Sequence, residues 1–234
     1  MELFEKNGIH KIGYKDASEF LLPRHYSGRI PSISYAYGYY EDSILKAVVT
    51  YGKPASHSLC VGVCGEEYSS QVYELNRLCR DGDIAIPISK LVSHSLRELS
   101  KESIIVVSYA DTQANHHGYI YQATNFIYTG ATKSRTDKWV EGNKHSRHYS
   151  NEEQGKYRKV RSSKHRYIYF CGSKSFKRAC KKALNYEQQP YPKGDNDKDY
   201  KLGVVMQPKI IKSNVSTRRK QGSKENFREA LPAI

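Results

Sequence analysis

The chain has 234 residues, a formal net charge of +14 and a mean hydropathy of −0.73. This length predicts one domain with appended segments. No stretch approaches the roughly 18 consecutive apolar residues of a transmembrane helix, and residues 1–16 lack the apolar run of a signal peptide. We therefore expect a cytoplasmic protein without a membrane partner.

The five cysteines are irregularly spaced, which favours reduced thiols over a disulfide framework. They lie at positions 60, 64, 79, 171 and 180. The pair Cys60 and Cys64 has no second ligand pair at zinc spacing, so it is a weak zinc signal.

The positive charge is concentrated in one segment. Residues 1–131 carry a net charge of −2, residues 132–182 carry +12 and residues 187–234 carry +4. Tyrosine, tryptophan and histidine are interleaved with the cations, a pattern that favours nucleic acid as the partner. The alternative is a solvated lysine-rich segment without a ligand.

The first part of the chain predicts a helix and a hairpin. Residues 10–22 indicate a short strand and then a helix, which Pro23 ends. A compact polar loop follows, with His25, Tyr26, Gly28 and Arg29. Residues 33–40 and 44–51 alternate as two paired strands. The polar loop either caps the helix or contacts the substrate.

A central strand and an amphipathic helix come next. Residues 55–67 are a small, flexible connection that could form a helix at its centre, and residues 72–78 alternate as the central strand. The segment 89–101 predicts a helix, in which Leu91, Ser95, Leu96 and Leu99 share a face. The N-terminus of that helix offers backbone N–H groups to a phosphate.

Residues 104–130 carry the densest set of proton-transfer groups. Residues 104–109 are a run of β-branched and aromatic residues and predict a buried strand, which Asp111 ends. A polar loop with His116 and His117 leads into a short helix at 119–124. Because ligands bind in the loops after parallel strands of open α/β sheets, we expect the active site here.

The rest of the chain, from residue 132 onward, is more polar. Residues 132–163 predict a long basic loop with one weak helical piece at 150–158. Within the loop, Trp139 either anchors the loop by packing or provides a stacking platform. Residues 164–171 alternate as a last strand, and residues 174–186 predict a basic helix. We expect residues 187–234 to form a disordered or loosely attached basic tail.

Two motifs resemble known families. A strand followed by a short helix ending Y-x-A-x-N-F resembles the C-terminal half of the GNAT acyltransferase fold. The strings S-Y-A-D and H-H-G-Y-I-Y-Q-A-T-N-F-I-Y-T-G resemble the Mom proteins of Mu-like bacteriophages, over roughly residues 10–172. The resemblance implies an α/β (α+β), GNAT-like domain over residues 1–186, with a central, mixed, strongly twisted sheet flanked by helices and a basic C-terminal extension.

The resemblance also implies a function. Mom proteins are phage-encoded enzymes that add a carbamoylmethyl (methylcarbamoyl) group to N6 of adenine in DNA, which protects phage DNA from host restriction. The partner would be double-stranded DNA with the adenine flipped out of the stack. Two alternatives stay open: a non-catalytic GNAT-like nucleic-acid-binding protein, and a GNAT N-acetyltransferase that acts on another amine.

The cofactor expected by resemblance is acyl-CoA, such as acetyl-CoA. In GNAT proteins the loop after the central strand wraps the coenzyme A pyrophosphate, and Arg80, Gly82 and Ser89 are the approximate counterparts here. This loop departs from the usual R/Q-x-x-G-x-G/A run, which argues against coenzyme A binding.

Proton transfer from the adenine amine requires a base. Asp111 is the first choice and His116 or His117 the second, while Tyr121 would protonate a leaving group, as in many GNAT enzymes. Ser108 and Tyr109 complete the expected catalytic set. The alternative for Asp111 is a cap on loop amides. Asp111, His116 and His117 would also suit iron(II) as two histidines and one carboxylate.

We expect the substrate to contact an aromatic slot and a set of polar groups. The slot would draw on Tyr35, Tyr37, Tyr39, Tyr40, Tyr109 and Tyr121. The predicted substrate- and DNA-binding residues are His25, Tyr26, Arg29, Tyr35, Tyr37, Asn76, Arg77, Arg135, Trp139, Arg158, Lys159 and Arg161.

Overall fold

A seven-stranded mixed sheet forms the core of the protein, in a computed structural model that describes residues 7–139, 157–194 and 209–212. Its strands lie in the order β1-β2-β3-β4-β5-β9-β6. In chain order they are β1 (Gly8–Lys11), β2 (Tyr35–Glu41), β3 (Ile44–Gly52), β4 (Val72–Arg80), β5 (Ile104–Asp111), β6 (Ile127–Ala131) and β9 (Lys164–Cys171).

The sheet has helices on both faces. They are α1 (Tyr14–Arg24), α2 (His57–Cys64), α3 (Ile88–Leu99), α4 (Tyr119–Ala123) and α5 (Lys174–Ala183), with 3-10 turns at Glu66–Gln71 and Thr112–Ala114. On one face, Leu91 and Leu96 of α3 pack against Val106 of β5. On the other, α2 and α5 pack against Ile105, the preceding residue of the same strand. The predicted fold, a central mixed sheet flanked by helices, is confirmed.

The strands β4 and β5 are the one parallel pair in the described part of this sheet. They pair over three residues each, from Val72 opposite Ile105 to Glu74 opposite Val107. Beyond that point β4 pairs only with β3, and β5 pairs along its whole length with β9. The carboxyl-terminal halves of β4 and β5 therefore separate. We call the space between them the β4–β5 opening.

A β-bulge interrupts β4 just after this separation. Thr50 of β3 lies opposite Arg77, and Tyr51 lies opposite Leu75, so Asn76 is the extra residue. The Thr50 hydroxyl donates to Asn76 Oδ1 at 2.7 Å, which fixes the bulge. Side chains alternate along a strand, and one extra residue shifts that alternation. Consequently Glu74 and Arg77 lie on the same face of the sheet.

The prediction that residues 132–163 form a long loop is wrong for the described residues of this segment. Arg135–Trp139 forms β7 and Tyr157–Arg161 forms β8, and they join β10 (Ile210–Lys212) in a three-stranded sheet. The helical piece expected at 150–158 lies mostly outside the described residues. Tyr157 and Arg158, the two positions of that piece that are described, belong to a strand.

The described chain forms two compact units. The first contains residues 7–135 and 161–194, and the second contains residues 136–139, 157–160 and 209–212. The seven-stranded sheet and all five helices belong to the first unit. The second unit consists of the three-stranded sheet.

The domain does not end at residue 186. The backbone N–H of Gln189 donates to the Tyr128 carbonyl at 2.9 Å, and the Tyr191 hydroxyl donates to the Phe126 carbonyl at 2.7 Å. Gln122 donates to the carbonyl of Pro192 at 3.3 Å. Residues 187–194 therefore pack on β6 and α4, and the expectation that they begin a loose tail is wrong.

None of the helices in the described segments is both long and apolar enough to cross a membrane.

Candidate active site at the opening between two strands

The point where β4 and β5 separate is held by a side-chain hydrogen bond. The buried Ser108 hydroxyl of β5 donates to the Leu75 carbonyl of β4 at 3.0 Å. Tyr121, on α4, forms a side-chain hydrogen bond with Ser108. Burial raises the pKa of Tyr121 to about 12, so its phenol is protonated at neutral pH. Two predicted catalytic residues, Ser108 and Tyr121, thus meet at the opening.

Five side chains around the opening interact electrostatically, and we call them the β4–β5 cluster. They are Tyr26, Glu74, Arg77, Tyr109 and Tyr121. Burial raises the pKa of Tyr26 and of Tyr109, and the neighbouring Glu74 adds to the rise at Tyr109. Three phenols, one carboxylate and one guanidinium are therefore electrostatic neighbours around the opening.

The carboxylate of this cluster, Glu74, was not among the predicted site residues. Burial raises its pKa, although the positive charges of Lys164 and Arg77 act in the opposite direction. Among residues 7–139, 157–194 and 209–212, no hydrogen bond or ion pair engages this carboxylate. A signal for it existed in the sequence, because a glutamate stands in the middle of a strand expected to be central.

Arg77 lies next to Glu74 on the same face. Its Nη1 donates to the Asn76 carbonyl at 2.6 Å, and its Nη2 donates to the Arg29 carbonyl at 3.3 Å. Its Nε is buried and has no hydrogen-bond acceptor within the described residues. Burial lowers the pKa of Arg77, but an arginine keeps its charge in proteins.

The predicted polar loop at 25–29 reaches this cluster. His25 is 6% exposed, and its ring stacks on Tyr26 with centroids 4.4 Å apart. Its Nδ1 accepts from the Ser27 backbone N–H at 3.1 Å. Burial, and then the charge of Arg77, lowers the pKa of His25 to about 3. His25 is therefore neutral and acts as a rigid support for Tyr26.

Asp111 lies at the end of β5, as predicted, and serves as a cap. Its Oδ1 accepts from the Gln113 backbone N–H at 2.9 Å and from the Ser162 hydroxyl. Its Oδ2 is 3.8 Å from Lys164 Nζ. Its charge also reaches Tyr26. The role of Asp111 as the catalytic base stays a prediction.

The predicted iron(II) set is not formed. No three His, Cys, Asp or Glu side chains in the described segments are placed to hold a metal ion. The Asp111 carboxylate engages Gln113 and Ser162, whereas the His117 ring lies 5.6 Å from the ring of His165. The His116 backbone N–H donates to the Asp111 carbonyl at 3.1 Å, which closes the turn between them. The residues present do not fit the metal.

The tyrosines of the first hairpin do not form the expected slot. Tyr37, Tyr39 and Tyr40 are 4%, 7% and 8% exposed and belong to the core. Tyr35 packs edge-on against Tyr73 at 5.4 Å. Placing Tyr37 at the substrate was wrong, because it is buried in the core beneath α3. The contact of the half-buried Tyr35 with the substrate stays a prediction. The side-chain amide of Asn76 is likewise engaged within the protein, since it donates to the Ser32 carbonyl at 2.8 Å.

The predicted cofactor loop contains several carboxylates. Arg80 lies 3.6 Å from Asp83, and Glu41 accepts the Ala85 backbone N–H at 2.6 Å. Gly82 has φ +65, which allows the turn, and Ser89 lies in the first turn of α3. A cavity of about 610 Å³ beside the loop has Glu41 and Asp42 on its wall. A pyrophosphate bound here would compete with carboxylates for Arg80 and for the Ala85 N–H.

The other predicted DNA-binding residues lie on β7 and β8. Arg158 donates to the Thr136 hydroxyl at 2.7 Å and to its carbonyl at 3.1 Å. Trp139 is half-buried and packs edge-on against Tyr157 at 6.1 Å, in agreement with a packing anchor. Arg135 and Arg161 are exposed and Lys159 is partly exposed. Their contact with DNA stays a prediction.

Several solved structures are similar to this chain. The ribosomal-protein-S18-alanine N-acetyltransferase from Escherichia coli is 9% identical, with a TM-score of 0.42, and the match covers 72% of this chain and 96% of that one. An N-acetyltransferase from Staphylococcus aureus Mu50 is 11% identical, with a TM-score of 0.44 and coverage of 70% and 97%. An acetyltransferase from Bacillus subtilis in complex with CoA is 13% identical, with a TM-score of 0.38 and coverage of 70% and 99%.

Sequence comparison identifies the family. No curated protein matches this chain significantly. The model of the Mom protein family matches residues 7–193, which include the whole β4–β5 cluster and the packed segment 187–193. The chain therefore belongs to the Mom protein family.

Proposed function

We propose that this chain is a phage-encoded transferase that adds a carbamoylmethyl group to N6 of adenine in DNA and thereby protects phage DNA from host restriction. Membership of the Mom family over residues 7–193 supports this proposal. The observation that carries it is the β4–β5 cluster, where aromatic rings, a carboxylate and a protonated phenol meet at the open ends of two strands.

The target amine sets the chemical requirements. The lone pair of the adenine N6 is delocalised into the ring, so the amine is a poor nucleophile and needs an acceptor for its proton. Two carboxylates, Asp111 and Glu74, lie near Tyr26 or Tyr121 and are candidates for this acceptor. The Tyr121 phenol is the candidate proton donor to the leaving group.

The base must leave the helix before it reaches these groups. Flipping a base costs a few kcal/mol, which stacking and hydrogen bonds in the enzyme have to offset. Tyr26 and Tyr109 provide aromatic surface in the cluster, and the His25 ring stacks on Tyr26 to hold it in place.

Cations in the same unit favour a polyanionic substrate. Helix α5 carries five lysines and arginines in ten residues and no acidic residue in its first turn. They are Lys174, Lys177, Arg178, Lys181 and Lys182. Contacts of such residues with phosphates make binding fall with rising salt, by roughly 0.9 log unit per log unit of salt for each contact.

The product defines what the donor of the transferred group must supply. Transfer from acetyl-CoA would yield an N6-acetyl group, whereas a carbamoylmethyl product has its carbonyl one atom further out and an additional nitrogen. Acyl-CoA remains one candidate, and the carboxylates around Arg80 and Ala85 compete with its pyrophosphate.

Mass analysis of DNA tests the proposal. DNA from cells that express the chain, and from cells with the empty vector, is digested to nucleosides and analysed by liquid chromatography and mass spectrometry. We expect a deoxyadenosine that is heavier by one carbamoylmethyl group in the expressing cells only. A deoxyadenosine heavier by an acetyl group would contradict the proposal and support an N-acetyltransferase. Retention on DNA with no modified nucleoside would support a non-catalytic binding protein.

A further inference from the structure

The bulge in β4 fixes the relation between Glu74 and Arg77. Without the extra residue Asn76, side chains three positions apart would lie on opposite faces of the strand. The Asn76 side chain accepts from Thr50 at 2.7 Å and donates to the Ser32 carbonyl at 2.8 Å, so the bulge is held from both sides. The carboxylate and the guanidinium are therefore presented together at the β4–β5 opening by backbone geometry.

Two hydrogen bonds fix the orientation of the Arg77 guanidinium, and its third nitrogen has no acceptor in the described part of the chain. Two of its nitrogens donate to the carbonyls of Asn76 and Arg29, which fixes the plane of the group. The third nitrogen, Nε, is buried and lacks an acceptor among the described residues. A buried donor without a partner is unfavourable, and a ligand that supplied an acceptor to Nε would remove this cost.

The carboxylate of Glu74 provides the complementary acceptor. It is partly buried and is the last residue of β4 that pairs with β5. It interacts electrostatically with Arg77, Tyr109 and Tyr121. The hydrogen bonds and ion pairs found across the described segments leave its oxygens without a donor. A ligand that fills the opening would thus meet an acceptor from Glu74 beside a donor from Arg77.

We infer that Glu74 and Arg77 form an acceptor–donor pair that recognises the amino edge of the target base, with Glu74 accepting the exocyclic N–H and Arg77 Nε donating to the adjacent ring nitrogen. This inference rests on the proposed function. On its Watson–Crick edge adenine presents the N6 amine next to the N1 acceptor, the edge that enzymes read in a flipped base. Hypoxanthine presents the reverse pattern, a carbonyl acceptor beside a ring N–H, so both protein groups would be mismatched.

Binding to short single strands tests the pair without the cost of base flipping. The probes are fluorescent thymidine oligonucleotides with one central adenine or one central hypoxanthine, and the readout is fluorescence anisotropy. We expect the wild-type protein to bind the adenine probe about tenfold more tightly than the hypoxanthine probe. Glu74→Gln and Arg77→Lys should each remove most of this preference, because one loses the carboxylate and the other loses Nε.

Two control variants separate recognition from general effects. Glu102→Gln and Arg97→Lys change exposed residues of the same types, and they should keep the wild-type preference. Affinity for a plain thymidine oligonucleotide should be unchanged in Arg77→Lys, since the positive charge is kept. Melting temperatures identify a variant that fails to fold, and the other variant then decides the outcome.

The outcomes distinguish this inference from the proposed function. If cells expressing the wild-type chain contain modified adenine, but Glu74→Gln and Arg77→Lys retain the adenine preference, the pair does not read the base and the proposed function stands. If the wild type neither prefers adenine nor modifies DNA, both fail. A preference that is lost in both variants and kept in both controls supports the inference.

Discussion

Ser108 on β5 donates a 3.0 Å hydrogen bond to the Leu75 carbonyl on β4, one residue beyond the last pair that joins these strands. The side chain of Tyr121, on α4, interacts with the same Ser108 hydroxyl. One hydroxyl therefore closes the base of the β4–β5 opening and positions the candidate proton donor above it.

Replacing Ser108 with alanine should affect both stability and activity. The change deprives the buried Leu75 carbonyl of this donor, which costs about 1–3 kcal/mol. We expect a lower melting temperature and a lower yield of modified adenine. Tyr121→Phe is the matched comparison, because it keeps the bond to Leu75. If Ser108→Ala is as stable and as active as the wild type, the hydroxyl does not hold the opening.

Asp111→Asn tests the predicted base. The asparagine amide keeps an oxygen that can accept from the Gln113 N–H, so the fold should be retained. It cannot take a proton, and we expect modification of DNA to be abolished. The yield of modified nucleoside is measured together with the melting temperature. Near wild-type activity would show that Asp111 only caps the loop.

Glu74→Gln should make the protein more stable at neutral pH. Burial raises the pKa of Glu74 in the folded state above its usual 4.5, so the folded state disfavours the charged form. Stability is therefore lost as the pH rises through the raised pKa, and the amide avoids this loss. Thermal melts of both proteins across the acid range should converge below about pH 4.5. A less stable Glu74→Gln at neutral pH would contradict the burial of an unpaired carboxylate.

His25 should make the wild-type protein sensitive to acid. Its folded-state pKa is lowered from 6.5 to about 3. Between these two pH values the unfolded chain binds a proton at His25 and the folded chain does not. Stability contributed by neutral His25 is complete above pH 6.5 and is lost as the pH falls toward 3. In His25→Asn the melting temperature should depend less on pH in this window. His57→Asn, at an exposed position, should behave like the wild type, and identical profiles for all three proteins would refute the assignment.

Truncation locates the end of the domain. A chain that ends after Tyr186 lacks the bonds of Gln189 and Tyr191 to β6 and its preceding residue, whereas a chain that ends after Gly194 keeps them. We expect the shorter chain to melt at least about 5 °C lower, since about 1 kcal/mol corresponds to 2–4 °C at this size. Equal melting temperatures would place the boundary at residue 186.

The sequence predicted the elements better than their contacts. Alternation and apolar runs identified the strand that ends at Asp111 and the helix that contains Leu91 and Leu96, because burial on known faces produces those patterns. The placement of Glu74 and Arg77 on one face could not be predicted in this way, since a single bulged residue, Asn76, shifts the side-chain alternation.

Two further differences have physical reasons as well. Residues 187–194 are polar, so hydropathy gave no sign that they pack. They are held mainly by hydrogen bonds such as the one from the backbone of Gln189 to Tyr128. The adjacent histidines 116 and 117 suggested a metal site, but the His117 carbonyl accepts from the Tyr167 hydroxyl and from Gln122, and the turn is fixed as a structural support.

The most direct test of the account compares two tyrosines of α4. Tyr121 hydrogen bonds with Ser108 at the opening, whereas Tyr119 is 68% exposed on the same helix. DNA is isolated from cells that express the wild type, Tyr121→Phe or Tyr119→Phe at equal levels of folded protein, and fragment-ion mass spectrometry determines the modified position of deoxyadenosine. We predict a carbamoylmethyl group on N6 with the wild type and Tyr119→Phe, and a strongly reduced yield with Tyr121→Phe. Unmodified adenine with the wild type, or equal yields with both variants, would contradict the account.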